Sequence, residues 1–508
     1  MNNATAILRT LIIYAICVPG AIVVGVLLTK PMYTSSWIGY SALATLFSLP
    51  ILLRWHHPLL VFCWNFPMTV FFLPGLPTVW LPMMATSLGI SVLQRTLNKD
   101  MQFLPTPRLT WPLICLFAVT LFTAKMNGGI GLHSLGSDVS GGKRYIFLFC
   151  GILGFFAMKA KRVPTERAVF YLGLFFLSGC FKIVGDLVSY VPRQLSFIFW
   201  LFPPNLQAAA EGGVARFGGL SVAAQAVFFV TLARYGIRGI FMPAVPLRIA
   251  ILIGCVALGL LGGYRLQLIT FAMVFAIQFY LEGLHHTKLL PIFVFAGVFA
   301  AALILPLADR LPFPIQRTLS ILPIHVSAAA RGDAEASSAW RVAMWKAVLP
   351  QVPKHLLLGK GYGLTAEDFT AMTMASRSID FASDWGAAIA GDYHNGPLSV
   401  VLPLGIWGVF AFLWLLIAGG WSLYDNLRYG DPSLRTINAL LFAMFLTRTF
   451  LFFFVAGSLY SDILAFTGYF GMSVCLNGGV CRRPAPAPAL HPEESEPLAP
   501  TRQRLQPA

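Results

Sequence analysis

His394 is the residue of this chain best placed by its neighbours to move a proton. It stands in Asp392-Tyr393-His394-Asn395-Gly396-Pro397, where polar sequence stops and an apolar run from Leu398 to Gly420 begins. Proline suits the first turn of a helix, because its missing N–H has no partner to lose there and its φ is already helical. Asn395 or Gly396 is then the cap. The imidazole falls just outside the positive end of a helix dipole, at a membrane–water boundary, where a neutral ring can accept a proton. The competing reading is an interfacial histidine with no chemistry. Asp392 is placed either to orient the ring or only to cap.

Arginines form the second group. Arg216 and Arg265 fall at the starts of apolar runs, and Arg341 lies in a long polar segment before His394. A guanidinium at the edge of hydrocarbon is costly unless it faces a polar cavity. Arg216 and Arg265 are therefore either functional groups or side chains that snorkel to headgroups. For Arg341 the plain alternative is a solvated loop charge. Arg193, Arg317 and Arg331 are weaker candidates.

The elements that must position these residues follow from composition. A hydrophobic fraction of 57% with only 11% charged residues and a mean hydropathy of +0.73 exclude a soluble globular domain. Apolar runs recur along the chain and predict an all-α, polytopic membrane bundle of about 12–14 transmembrane helices at ~20 residues each. The pair of runs at 58–74 and 77–94 is interrupted by Pro74-Gly75-Leu76-Pro77. The net charge of +16 is spread over short alternate connections, at Arg54, Arg95, Lys159, Arg234, Lys288, Arg428 and Arg482 among others. That pattern is the positive-inside rule and gives no sign of nucleic-acid binding; it places both termini in the cytoplasm. The first run reads as an uncleaved signal anchor. Eight cysteines lie in or next to apolar runs, which indicates neither a disulfide framework nor a zinc site.

Four regions result: helices with short connections over 1–306, a long outward-facing loop at 307–397, C-terminal helices over 398–480, and a Pro-rich disordered tail over 481–508. The loop carries eight basic and eight acidic residues, so it reads as a folded segment, and a loop of that length is usually functional. Within it, 337–349 reads as a helix capped by Ser337 or Ser338. Gly359-Lys360-Gly361-Tyr362-Gly363 reads as a turn, with no strand before it to make it a phosphate loop.

His394-Asn395, nine residues, then Gly405-Ile406-Trp407-Gly408 resembles the signature of the O-antigen ligase and O-antigen polymerase superfamily. Arg216-Phe217-Gly218-Gly219 resembles its R-x-x-G element. Gly263-Tyr264-Arg265 resembles its Ser-Arg element, with Tyr in place of Ser. Arg341-x-x-x-Trp345 and Leu358-Gly359-Lys360-Gly361-Tyr362-Gly363 resemble the run before the histidine. The resemblance covers about 205–420 and implies a multi-pass transferase of the bacterial inner membrane whose donor is a polyprenyl-diphosphate-linked glycan. It further implies that periplasmic arginines hold the diphosphate and that the histidine activates an acceptor hydroxyl on a lipid A core sugar, a growing glycan or a protein. Besides glycan, acceptor and membrane lipids, no partner or cofactor is implied.

The planar fork of Arg suits phosphate oxygens. No Asp-x-Asp pair or Walker A loop occurs, which fits a metal-free reaction better than a nucleotide-sugar enzyme or an ATP-driven pump. The alternative is a secondary transporter or flippase for a lipid-linked or anionic solute, for which Lys182 and Asp186 are the best residues.

Overall fold

The structure is a computed structural model of the 508-residue chain. It describes residues 3–482 apart from 30–32, 74, 99–101, 132–140, 205–215, 243–244, 365–369, 371–390 and 392. Asp392 and, of the tail expected to be disordered, residues 483–508 lie outside the described residues. Among the described residues the fold is all-α, with one isolated bridge, Thr69 to Thr78, and no strand. In chain order the helices are α1 Asn3–Leu28, α2 Thr34–Cys63, α3 Trp80–Leu97, α4 Pro107–Met126, α5 Lys143–Met158, α6 Ala168–Leu177, α7 Ile183–Asp186, α8 Ile198–Leu201, α9 Gly218–Ile240, α10 Pro246–Leu260, α11 Arg265–Leu281, α12 Leu289–Ile304, α13 Phe313–Leu319, α14 Ala328–Val348, α15 Gly396–Tyr429, α16 Arg435–Phe454 and α17 Leu459–Asn477. Eight helical segments among the described residues are long and apolar enough to cross a membrane, and three shorter apolar helices accompany them.

The bundle is one apolar core. α4 packs on α15, α5 on α17 and α9 on α10, and Phe155, Phe228, Leu415 and Phe466 are fully buried between them. The apolar run at 58–74 is not a separate helix. α2 stops at Cys63, and Trp64 to Val79 folds back on itself through Val70 N–H to Pro77 O and Val79 N–H to Met68 O. Pro67 and Pro77 lack the N–H a helix needs, so this stretch pairs locally instead.

α15 is the scaffold for everything that follows. Asn395 is its cap, its side chain accepting from Leu398 N–H at 3.0 Å, and Pro397 lies in the first turn, as the sequence implies. Gly396 lies so close to α16 that a Cβ would come within 2.2 Å of Phe452 O. Further along, α15 is broken at Gly405, which has φ 67° and ψ −166°, a region open essentially to glycine alone. The break leaves backbone groups free, and the 356–361 turn inserts there. Ile406 N–H donates to Leu356 O at 2.7 Å, Lys360 N–H to Leu402 O at 2.7 Å and Gly361 N–H to Pro403 O at 3.0 Å. A Cβ on Gly359 would lie 2.3 Å from Pro403 O. The glycines at 359 and 405 are thus two halves of one backbone joint, and the turn serves as a plug in a helix.

Gly405→Ala should lower stability by about 1–3 kcal/mol through backbone strain, and more if the added Cβ, 2.7–2.9 Å from the inserted turn, expels it. Gly254→Ala, whose Cβ meets nothing within 4 Å, is the control and should melt like the parent. Thermal unfolding of the two variants in detergent makes the comparison.

Candidate active site

α14 assembles the site. It begins at Ala328, nine residues before the cap the sequence pointed to. Ser327 is the cap, its hydroxyl accepting from Ala330 N–H, and the run Ala328-Ala329-Ala330 has the highest helix propensity available. The longer helix places Asp333, Ser337, Arg341 and Trp345 at intervals of four residues, on one face.

Arginines from three other elements meet that face. Arg216, just before α9, donates from Nη2 to both oxygens of Asp333 at 3.3 and 3.1 Å. Arg317, on α13, donates from Nε to Asp333 Oδ2 and from Nη1 to Gly263 O. Arg265, the first residue of α11, donates from Nη2 to Ala334 O and to Ser338 Oγ, each at 3.1 Å. The Arg216 and Arg317 side chains are only 12% and 9% exposed, enclosed by protein. The Nε atoms of Arg216 and Arg341 are buried with no hydrogen-bond partner among the described residues. Burial, and next the Arg317 charge, act against the protonated form of Arg216 and push its pKa down, with Asp333 opposing. The same two causes push Arg341 down. A largely enclosed group of like charges that hydrogen-bonds one carboxylate among the described residues calls for a further anion.

His394 approaches the other end of α14. Its ring meets Trp340 edge-on with centroids 5.4 Å apart, and Trp340 is the residue before Arg341. The backbone at His394 has φ 45°, left-handed and rare for a residue with a side chain. Three contacts hold it there: the Asn395 cap below, Trp345 Nε1–H donating to Tyr393 O at 2.8 Å, and Tyr393 buried with Met344, Val348, Leu398 and Leu402. Such strain clusters at functional sites and persists only when its surroundings enforce it. On the far side Arg144 lies over the Tyr460 ring at 5.0 Å, and a Cβ on Gly391 would lie 2.8 Å from its Nη1.

The structure thus brings Arg216, Arg265, Arg341 and His394 to one helix, with Asn395 and Gly405 in the supporting roles described. Gly408 packs beside the break, against Leu404. Arg317, a weaker candidate from sequence, is central. Arg331 donates to Ile324 O and lines a 460 Å³ cavity with Arg265, Glu335 and Ser338. Arg193 is exposed on a short turn, outside the group. Asp333 and Trp340 were missed; extending the helix by two turns from Arg341 would have put Asp333 on the same face. Asp186 caps α9, accepting from Gly219 N–H and Leu220 N–H at 3.0 and 2.7 Å, so it positions the helix that follows Arg216. A separate 570 Å³ cavity lies inside the bundle, lined by Trp64, Phe175, Lys182, Gln225, Thr447 and Arg448 among others.

Trp345→Phe keeps the apolar contact and removes the bond to Tyr393 O. It should cost about 0.5–1.5 kcal/mol and speed amide exchange across 393–395 while leaving 357–361 unchanged, as hydrogen-exchange mass spectrometry would read.

No curated protein matches the chain. A family model described as O-antigen ligase matches residues 247–413, a stretch that holds Arg265, Arg317, Asp333, Arg341, His394, Gly405 and Gly408 and leaves Arg216 outside. The chain is a polytopic helical membrane protein, and residues 247–413 of it, about a third of its length, match the O-antigen ligase family model.

Proposed function

We propose that this protein is a membrane glycosyltransferase that moves a glycan from a polyprenyl-diphosphate donor to an acceptor hydroxyl on the outer face of the membrane. The observation that carries the reading is the convergence on α14 of four arginines, one carboxylate and, by way of Trp340, a histidine held in a strained backbone. Arg216, Arg265, Arg317 and Arg341 bind the donor's diphosphate. His394 takes the proton of the acceptor hydroxyl as its oxygen forms a bond to the anomeric carbon. The bond from that carbon to the diphosphate oxygen breaks with inversion, and the arginines stabilise the charge that develops on the leaving diphosphate. The step as proposed draws on these side chains, and the sequence lacks the Asp-x-Asp pair of metal-dependent nucleotide-sugar enzymes. The O-antigen ligase match supports the reading in general terms. The acceptor class is open among lipid A core, glycan and protein hydroxyls. Of the two residues on which a transporter reading rests, Asp186 is engaged as the cap of α9 and Lys182 lines the 570 Å³ cavity inside the bundle.

The reading requires the 307–397 segment outside a bacterial inner membrane and both termini inside. In a cysteine-free background, Ala336→Cys, an exposed position on α14, should react with a membrane-impermeant maleimide in intact spheroplasts. Labelling only after lysis would put the site on the wrong side.

His394→Ala should abolish transfer from a polyprenyl-diphosphate glycan in vitro while the protein still inserts and melts as the parent does. Arg216→Lys and Arg341→Lys keep the charge and lose the fork. Each should slow transfer by about ten- to a hundredfold, the value of one charge-assisted hydrogen bond at roughly 1.5–3 kcal/mol. Parental rates in both lysine variants would remove the diphosphate clamp, and parental turnover in the alanine variant would remove the base.

A further inference from the structure

Among the described residues, Asp333 supplies the one carboxylate that the clustered arginines bond. Its two oxygens accept from Arg216 and Arg317, while Arg265 donates only to uncharged acceptors, Ala334 O and Ser338 Oγ. Arg341 keeps a buried Nε with no partner among the described residues. Glu335, the next acidic residue on α14, is exposed and lines the neighbouring cavity. Asp333 therefore stands where a ligand's anion would stand, on the helix that also carries Arg341, accepts from Arg265 and contacts His394 through Trp340.

We infer that Asp333 is a specificity-determining residue: an internal counter-ion that a diphosphate can displace and a phosphodiester headgroup cannot. The inference rests on reading the cluster as the donor's diphosphate site. A phospholipid headgroup with one negative charge offers no more charge than the carboxylate it would replace. Its binding would also leave Asp333 beside an anion without its partners, which is costly in a buried site. A diphosphate diester carries two negative charges and more acceptor oxygens. It can satisfy Arg216 and Arg317 in place of the carboxylate and at the same time reach Arg341 and Arg265, neither of which hydrogen-bonds a carboxylate among the described residues. The charge gained offsets the carboxylate released. Without Asp333, a half-buried group of four arginines at a membrane surface would take the abundant single-charge headgroups. Discrimination here comes from raising the cost of the wrong ligand. Because Asp333 sits two turns from Trp340 on a continuous helix, the exchange also takes place on the element that contacts His394.

The test is binding to the full-length protein in phosphatidylcholine nanodiscs, by calorimetry, with a geranyl-diphosphate-linked sugar, a diphosphate diester, and dihexanoyl phosphatidylglycerol as the two probes. The parent should prefer the diphosphate by tenfold or more. Asp333→Asn should strengthen phosphatidylglycerol binding at least tenfold and the diphosphate less, so that the preference collapses. An unchanged preference, or both affinities falling in step, would overturn the inference and leave Asp333 as a tie between α14 and its neighbours. If Asn at 333 lowers the melting temperature, Asp333→Asn combined with Arg317→Gln removes one charge of each sign. That double variant should bind phosphatidylglycerol more tightly than Arg317→Gln alone, and equal affinities would again overturn the role. A parent whose diphosphate affinity is indifferent to Arg216→Ala would sink the diphosphate site itself, an outcome separate from any result at Asp333.

Discussion

The pair of hydrogen-bonded contacts from Arg216 and Arg317 to Asp333 is the constraint on which the site depends. Arg216 precedes α9, Arg317 belongs to α13 and Asp333 to α14, so one carboxylate ties two neighbouring helices to a third element more than a hundred residues earlier in the chain. Two largely buried guanidiniums sharing a carboxylate are not simply stabilising: desolvation opposes them, and breaking the set by removing one partner is more damaging than never having built it. A cluster with that energetics is better explained by what it binds than by what it adds to the fold. The same helix then carries the arrangement to His394 through Trp340 and Trp345.

A second joint fixes the other half of the site. The break at Gly405 interrupts a helix that would otherwise run from Gly396 to Tyr429, and the backbone groups it frees are satisfied by the inserted 356–361 turn. In a membrane protein such a turn is tolerated where it is buried in protein. The segment between α14 and α15 is thereby anchored at both ends, by the plug at 356–361 and by the Asn395 cap. The strained conformation of His394 sits immediately before that cap. Position and strain of the histidine both follow from backbone geometry that only glycine at 359, 396 and 405 permits.

Much of this was legible in the sequence. The helix start at Asn395-Gly396-Pro397, the helix starts at Gly218 and Arg265, and the all-α membrane class follow from proline and glycine stereochemistry and from apolar runs, which are local signals. Tertiary choices were not legible. The run at 58–74 is apolar enough for a helix, yet it folds back because its prolines cannot donate and Thr69 N–H finds Leu201 O instead. Asp333 looked like one of eight loop acids, because nothing local distinguishes an aspartate that faces solvent from one that holds two arginines. The 356–361 turn was legible as a turn, but its insertion into α15 was not, since the gap it fills lies more than forty residues further along the chain.

The bundle also contains the 570 Å³ cavity with Lys182 and Arg448 on its wall, a second basic site against which the account is tested. The most direct test of the account is a structure of the protein with a non-transferable polyprenyl-diphosphate glycan bound. The account predicts both phosphates within hydrogen-bond distance of Arg216, Arg265, Arg317 or Arg341, Asp333 displaced from them, and the anomeric carbon on the His394 side. Phosphates found in the Lys182–Arg448 cavity, with the Arg216–Asp333 pair intact, would contradict it.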